Sequence, residues 1–453
     1  MRSLGSDLRL AWLLTRGSDR REWWRVGLTA VGAALATGIG LAVVALQSLD
    51  GFYAVSFGSG LFDSPSDRQN VSLALGLLLI PVLGFLGQCA RIGAVHRDRR
   101  LAALRLAGAA PWQVRRIAAL EAGLACLAGA VVATAAVVPL LPPDATDWAG
   151  VVLVALAVPV LGAVVSAGAL RRVVADPLGR VRRVRPVRGP GRLFGTATRL
   201  LAVTAVAIAL TPLFGSPVSF GLGPVAVLVL VLAVLFSLIA IWLSGASSRQ
   251  LGEGFAARTS RPALLIAAER MREDPWSNAR THAALLLLTV VGSGFAGVRQ
   301  VLLADLNEMR REGHLGTSMA YYTTGIDLTA AAILVAFALV LTALAVGTAE
   351  SLATRRRGLA AQAAAGVPHA VLARALLLET ALPLFPAIAV AGLGGATISF
   401  WYGAAVSRHT DVPVPYGALL LVPVGVYACC VLAAATSLPL LRRSVRPGEL
   451  RYA

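Results

Sequence analysis

Two glutamates sit where a carboxylate is hard to accommodate. Glu121 and Glu379 each lie about one turn inside an apolar segment long enough to cross a bilayer. Ionisable groups at such depth are rare and usually paired. Arg116 and Arg374 stand five residues before them, within side-chain reach at the interface. Two chemistries are open: a structural ion pair, or a carboxylate that takes up and releases a proton. Their place near one end of the segment, away from its middle, favours the ion pair. The remaining chemical inventory is thin. His96, His282, His314, His369 and His409 are scattered, and no HExxH or GxSxG pattern occurs. Cys89, Cys126, Cys429 and Cys430 lie inside apolar stretches without disulfide-framework or zinc-ligand spacing, which suits packed thiols. No catalytic residue, cofactor ligand or metal ligand is assigned. All 41 basic residues are Arg. A Walker A loop needs a Lys to reach nucleotide phosphates, so this chain carries no standard P-loop site.

The stretch that holds each glutamate occurs twice. Residues 97–124 and 355–382 align without a gap and share 11 of 28 positions. Arg97 matches Arg355, Arg99 matches Arg357, Leu101 matches Leu359, Gly108 matches Gly366, Arg116 matches Arg374 and Glu121 matches Glu379. Residues 98–107 are good helix formers, and Gly108 is placed to end the helix in the left-handed conformation. Pro111 then begins the next helix, and Gly366 with Pro368 repeats the arrangement. The pattern predicts a short helix and turn between two long apolar segments.

A chain that is 57% hydrophobic and 14% charged over 453 residues is too apolar for a soluble globule. Ten segments are each about long enough for a hydrocarbon core of roughly 30 Å: 26–49, 70–93, 117–140, 149–170, 199–214, 221–243, 281–303, 326–350, 374–404 and 417–441. Arg falls unevenly between them. Counting the Arg at the segment ends with the side they adjoin, the termini and alternate connections hold 36 and the opposite side 5. The positive-inside rule therefore puts both termini in the cytoplasm. A net charge of +18 so distributed argues for a membrane surface and against nucleic acid. The Arg-only, Ala-rich composition suggests a bacterial cell membrane. The connections on the other side are short, led by 304–325 and 51–69, and are acidic for their size.

The layout follows: an all-α polytopic membrane protein with ten transmembrane helices, two parallel four-helix repeats and a linking helix pair. Residues 1–25 form a cytoplasmic amphipathic segment, with Leu8, Leu10 and Leu13 near Arg9 and Arg16. Residues 26–172 are the first four-span unit, and 173–260 hold a linker with spans five and six. Residues 261–443 are the second unit with a preceding interfacial helix, and 444–453 a cytoplasmic tail. In that interfacial helix Ser260 is placed to cap, Pro262 opens the first turn, and Leu264, Leu265, Ala268 and Met271 line one face. Equivalent elements lie six spans apart, so the units share one orientation.

In these residues the chain resembles the FtsX-like permease family of ABC transporters. The two Arg-rich helices ending at Gly108 and Gly366, the Arg116/Glu121 and Arg374/Glu379 pairs, and the four-span unit carry the likeness. The ten-span layout resembles the bacitracin-efflux type of antimicrobial-peptide permease, but without the large extracellular domain that type carries between spans seven and eight. The resemblance implies that Arg97, Arg99, Arg100, Leu101, Leu104 and Gly108, and Arg355, Arg356, Arg357, Leu359 and Gly366, belong to coupling helices that dock a cytoplasmic ATPase, in two copies. It also implies export or mechanotransmission of a lipophilic or amphipathic substrate, with membrane lipids as surroundings and no cofactor of the chain's own. A proton-coupled secondary transporter using Glu121 and Glu379, or a membrane regulator without transport, are the alternatives.

Overall fold

Long Ala-, Leu- and Val-rich runs without polar punctuation leave the backbone only itself to bond with in apolar surroundings, and a helix meets that demand within one segment. The computed structural model describes residues 20–49, 51–52, 58–76, 108–140, 146–169, 222–406 and 416–439, with isolated positions within 78–89, within 195–203 and at 441. Every regular element among them is helical. They are α1 (Arg20–Gln47), α2 (Pro111–Val137, continued by a 3-10 turn Val138–Leu140), α3 (Trp148–Ala169), α4 (Leu222–Arg258), α5 (Pro262–Glu273), α6 (Pro275–Arg311), α7 (Met319–Thr354), α8 (Arg356–Ala364), α9 (His369–Val406) and α10 (Tyr416–Ala435). Residues 65–76 are also helical.

Seven described helices are long and apolar enough to cross a membrane: Val26–Gln47, Trp112–Leu140, Trp148–Val165, Val231–Arg258, Pro275–Arg311, Met319–Ala349 and His369–Ala404. Each overlaps one of the ten expected segments, though Val231–Arg258 runs past the expected end at 243. Of the other three, 70–93 is described only in part and 199–214 lies largely outside the described residues. The last is the shorter apolar helix Leu419–Ala435. Their outward faces are hydrocarbon: Leu153 and Val164 on α3, Leu334 on α7 and Leu421 on α10 are all exposed. Leaving such side chains in water forgoes roughly 1.5–3 kcal/mol each, so the faces fit lipid. α9 runs through Pro383 and Pro386 without a break in its helix.

The chain groups into two units, residues 1–184 with 320–339, and 185–319 with 340–453. In the first unit Ala33, Ala36, Val82, Leu86, Cys126 and Val158 form a core of mostly small side chains. α1 and α2 touch backbone to backbone there: a Cβ at Gly129 would sit 2.0 Å from the Ala30 carbonyl oxygen. Also in the first unit, Arg68 is 2% exposed. Its guanidinium donates to the carbonyls of Phe62 (2.9 Å), Asp63 (3.2 Å), Leu49 (3.0 Å) and Gly51.

In the second unit α6 crosses α9 at a line of small residues. A Cβ at Gly395 would meet Ser293 Oγ, and one at Gly297 would meet Ser399 Oγ, each at 2.0 Å. Ser399 Oγ donates to the Gly294 carbonyl across the crossing at 3.2 Å. α5 lies between α4 and α6 in sequence and buries Ala267, Ala268 and Met271. Leu265 is exposed. Pro262 opens this helix as expected, but Ser260 does not cap it. Arg261 holds the cap position without a side-chain bond, and its N–H bonds Thr259 Oγ1 at 3.2 Å.

Candidate functional site

The second copy of the repeated stretch lies within the described residues. α8 packs through Leu359 and Ala360, which are buried, and turns Gly358, Ala361 and Ala364 outward. It ends in a Schellman motif. The Gly366 N–H donates to the Ala363 carbonyl (2.9 Å) and the Val367 N–H to the Gln362 carbonyl (3.1 Å). Gly366 has φ +89, a region where a side chain would strain the backbone. Val367 then packs against the buried cluster of Leu352, Leu359, Leu372 and Leu441. In the first copy Gly108 has φ +92, and α2 starts at Pro111. The rest of that expected helix, with Arg97, Arg99, Arg100, Leu101 and Leu104, lies outside the described residues.

Glu379, in the third turn of α9, joins three elements. Its side chain is 13% exposed. Arg355, which caps α8, bonds Oε1 through Nη1 at 2.8 Å. Arg270 of α5 approaches Oε2 through Nη1 at 3.4 Å. The same guanidinium donates from Nη2 to Gln362 Oε1, near the other end of α8, at 3.3 Å. Asn278 of α6 donates to the Glu379 backbone carbonyl at 2.9 Å. Both ends of α8 are thus tied to one carboxylate.

Arg374, the partner expected from spacing, is exposed, and Glu379 takes Arg355 and Arg270 instead. Five residues along a helix turn about 140° around its axis, which puts Arg374 and Glu379 on different faces. In the first copy the Arg116 guanidinium lies 4.7 Å from the Trp112 ring centroid, a cation–π contact, and Glu121 is half-buried on α2. Arg356 is half-buried beside Arg355, and Arg357 lies in the first turn of α8. Sequence reasoning missed Arg270, Gln362 and Asn278. The one available signal was Arg270 on the helix Pro262–Glu273, whose buried face it adjoins.

Next to the clamp is a recess of about 110 Å³ lined by the first two turns of α6, the end of α7, α9 near Glu379, and Ser437 just past α10. Among the described residues no group of three or more His, Cys, Asp or Glu side chains could hold a metal ion. The class defined by fold and exposed faces is an all-helical chain whose long apolar helices fit an integral membrane protein. No protein-family model matches the chain, and no curated protein matches it.

Proposed function

We propose that this chain is the permease subunit of an ABC transporter, driven by a separate cytoplasmic ATPase that docks twice, on residues 97–108 and on α8. The clamp at Glu379 carries the reading. A nine-residue helix between two long apolar helices would need no such fixing if it were only a connection. Held by Arg355 at its start and by Gln362 through Arg270 near its end, α8 can pass a push to α9 and α5 without pivoting. Its outward face of Gly358, Ala361 and Ala364 leaves room for close approach by a partner.

In this reading ATP-driven closure of the ATPase pair presses on the two short helices, and the spans flanking them carry the motion to the opposite side. The chain would have ten spans in two parallel four-span units, with both termini in the cytoplasm of a bacterial cell. The substrate would be lipophilic or amphipathic, such as an antibiotic, peptide or lipid. Glu379 acts here as a structural tie, since a guanidinium faces each of its oxygens.

Purification of the tagged full chain in mild detergent tests the reading. Two ATPase copies per chain are expected. A chain that keeps its fold and recovers no ATPase would overturn the proposal and favour a proton-coupled secondary transporter.

A further inference from the structure

Several hydroxyls that line the recess beside the clamp are left as acceptors only. Thr281 Oγ1 donates to the Ser277 carbonyl (2.9 Å), Thr348 Oγ1 to Ala345 (2.9 Å) and Ser437 Oγ to Ala434 (2.6 Å). Each hydroxyl has spent its single hydrogen on its own helix, so only lone pairs remain for a ligand. His282 is 2% exposed, and its Nδ1 lies 2.8 Å from the Asn278 carbonyl. A carbonyl only accepts, so Nδ1 carries the hydrogen and Nε2 of the neutral ring is an acceptor. Nε2 has no hydrogen-bond partner. These hydroxyls therefore ask for O–H donors.

The charge at its edge asks for something else. Two guanidinium groups, Arg270 and Arg355, face one carboxylate, Glu379, which leaves one formal positive charge. The Arg355 side chain is 38% exposed and keeps further N–H groups for an anion. A metal cation or an ammonium would meet that charge and is disfavoured. The volume, about 110 Å³, equals roughly four waters' share of liquid and suits a three-carbon polyol. The recess also lies at one common end of the helices: the start of α6, the end of α7, an early turn of α9 and the segment just past α10. In a membrane-spanning bundle that is headgroup depth, where basic pockets between helices take anionic headgroups.

We propose that this recess binds the headgroup of an anionic phospholipid whose phosphodiester carries a short polyol. The phosphate sits on Arg355, and the polyol hydroxyls donate to Thr348, Thr281 and Ser437. The bound lipid would then brace the α8 clamp. Its binding needs no ATPase, so the inference stands or falls apart from the permease reading.

Native mass spectrometry of the detergent-purified full chain tests it, using phosphatidylglycerol, phosphatidic acid and phosphatidylcholine with the same acyl chains. Phosphatidylglycerol should be retained about tenfold over phosphatidylcholine, or roughly 1.4 kcal/mol. Arg355→Gln should erase that preference. Thr348→Val, a mild change inside a helix, should weaken phosphatidylglycerol several-fold and leave phosphatidic acid, which has no polyol, unchanged. Equal retention of phosphatidylcholine overturns the proposal, as does a Thr348→Val effect of equal size on phosphatidic acid. Glycerol phosphate at matched concentration should not displace the lipid; displacement would make the ligand a soluble phosphate and overturn the lipid assignment. If Arg355→Gln proves unstable, the Thr348→Val comparison decides alone.

Discussion

Arg355 Nη1 stands 2.8 Å from Glu379 Oε1, fastening the residue that caps α8 to the third turn of α9. Arg270 holds the other carboxylate oxygen at 3.4 Å. Removing the shared acceptor should therefore do more harm than removing either donor. Loss of one partner of a buried pair costs about 3–5 kcal/mol, and the 38% exposure of Arg355 reduces this through solvent screening. Glu379→Gln is expected to lose about 2 kcal/mol, and Arg355→Gln under about 1 kcal/mol, because Arg270 remains. Thermal unfolding in one detergent checks the order. An Arg355→Gln protein that melts below Glu379→Gln would show that Glu379 is not the hub.

The glycines of α8 and its cap should respond oppositely to the same change. Gly358 lies inside the helix with nothing within 4 Å of an added Cβ, so Gly358→Ala should stabilise by about 0.5–1 kcal/mol. Gly366 has equal space but φ +89, so Gly366→Ala should destabilise by about 1–2 kcal/mol. Hydrogen exchange of the α8 amides reads both. Under the permease proposal the double variant Gly108→Val with Gly366→Val should insert normally yet lose ATPase binding. Normal binding and stimulation in that variant would remove the coupling-helix assignment.

Arg68 should be irreplaceable by lysine. Its guanidinium serves four carbonyls spread from Leu49 to Asp63. An ammonium has three donors on a point charge and cannot match that spread. Arg68→Lys should lose about 3 kcal/mol, with Arg68→Ala lower still. Limited proteolysis across 49–64 checks this: both variants should be cut far faster than the native chain. Native-like resistance in Arg68→Ala would show that the loop has other supports.

Much of this architecture was legible in the sequence because it is local. Hydropathy marks the seven long helices, and Gly366 two residues before Pro368 announces the end of α8. What was illegible is long-range. Arg270 reaches Glu379 across 109 residues, and Arg355 across 24, through helix packing that no spacing rule encodes. The nearer Arg374 suggested itself by distance along the chain, but helical rotation turns it aside. Ser260 looked like a cap by residue type, yet the chain begins the helix from Arg261. Arg68 reads as one stray basic residue among acidic connections, and only the returning loop reveals its four acceptors.

Close helix contact makes one more pair of glycines diverge. Gly129→Ala drives a methyl into the Ala30 backbone and should destabilise by about 1–3 kcal/mol. Gly38→Ala, on α1 with nothing within 4 Å, should be neutral or stabilising by up to about 1 kcal/mol. Melting temperatures of the two variants decide the sign. If both are stabilising, α1 and α2 are further apart than the contact implies.

The crossing of α6 and α9 has a mechanical corollary. Ser293 opposite Gly395 and Ser399 opposite Gly297 mesh like gear teeth, each projection fitting a gap that cannot take one more carbon. Sliding either helix by a single residue, a rise of about 1.5 Å, would set tooth against tooth. The two helices therefore resist sliding past one another. A displacement applied near Asn278 and Glu379 would arrive at Trp401 undiminished by slippage, whatever force supplies it.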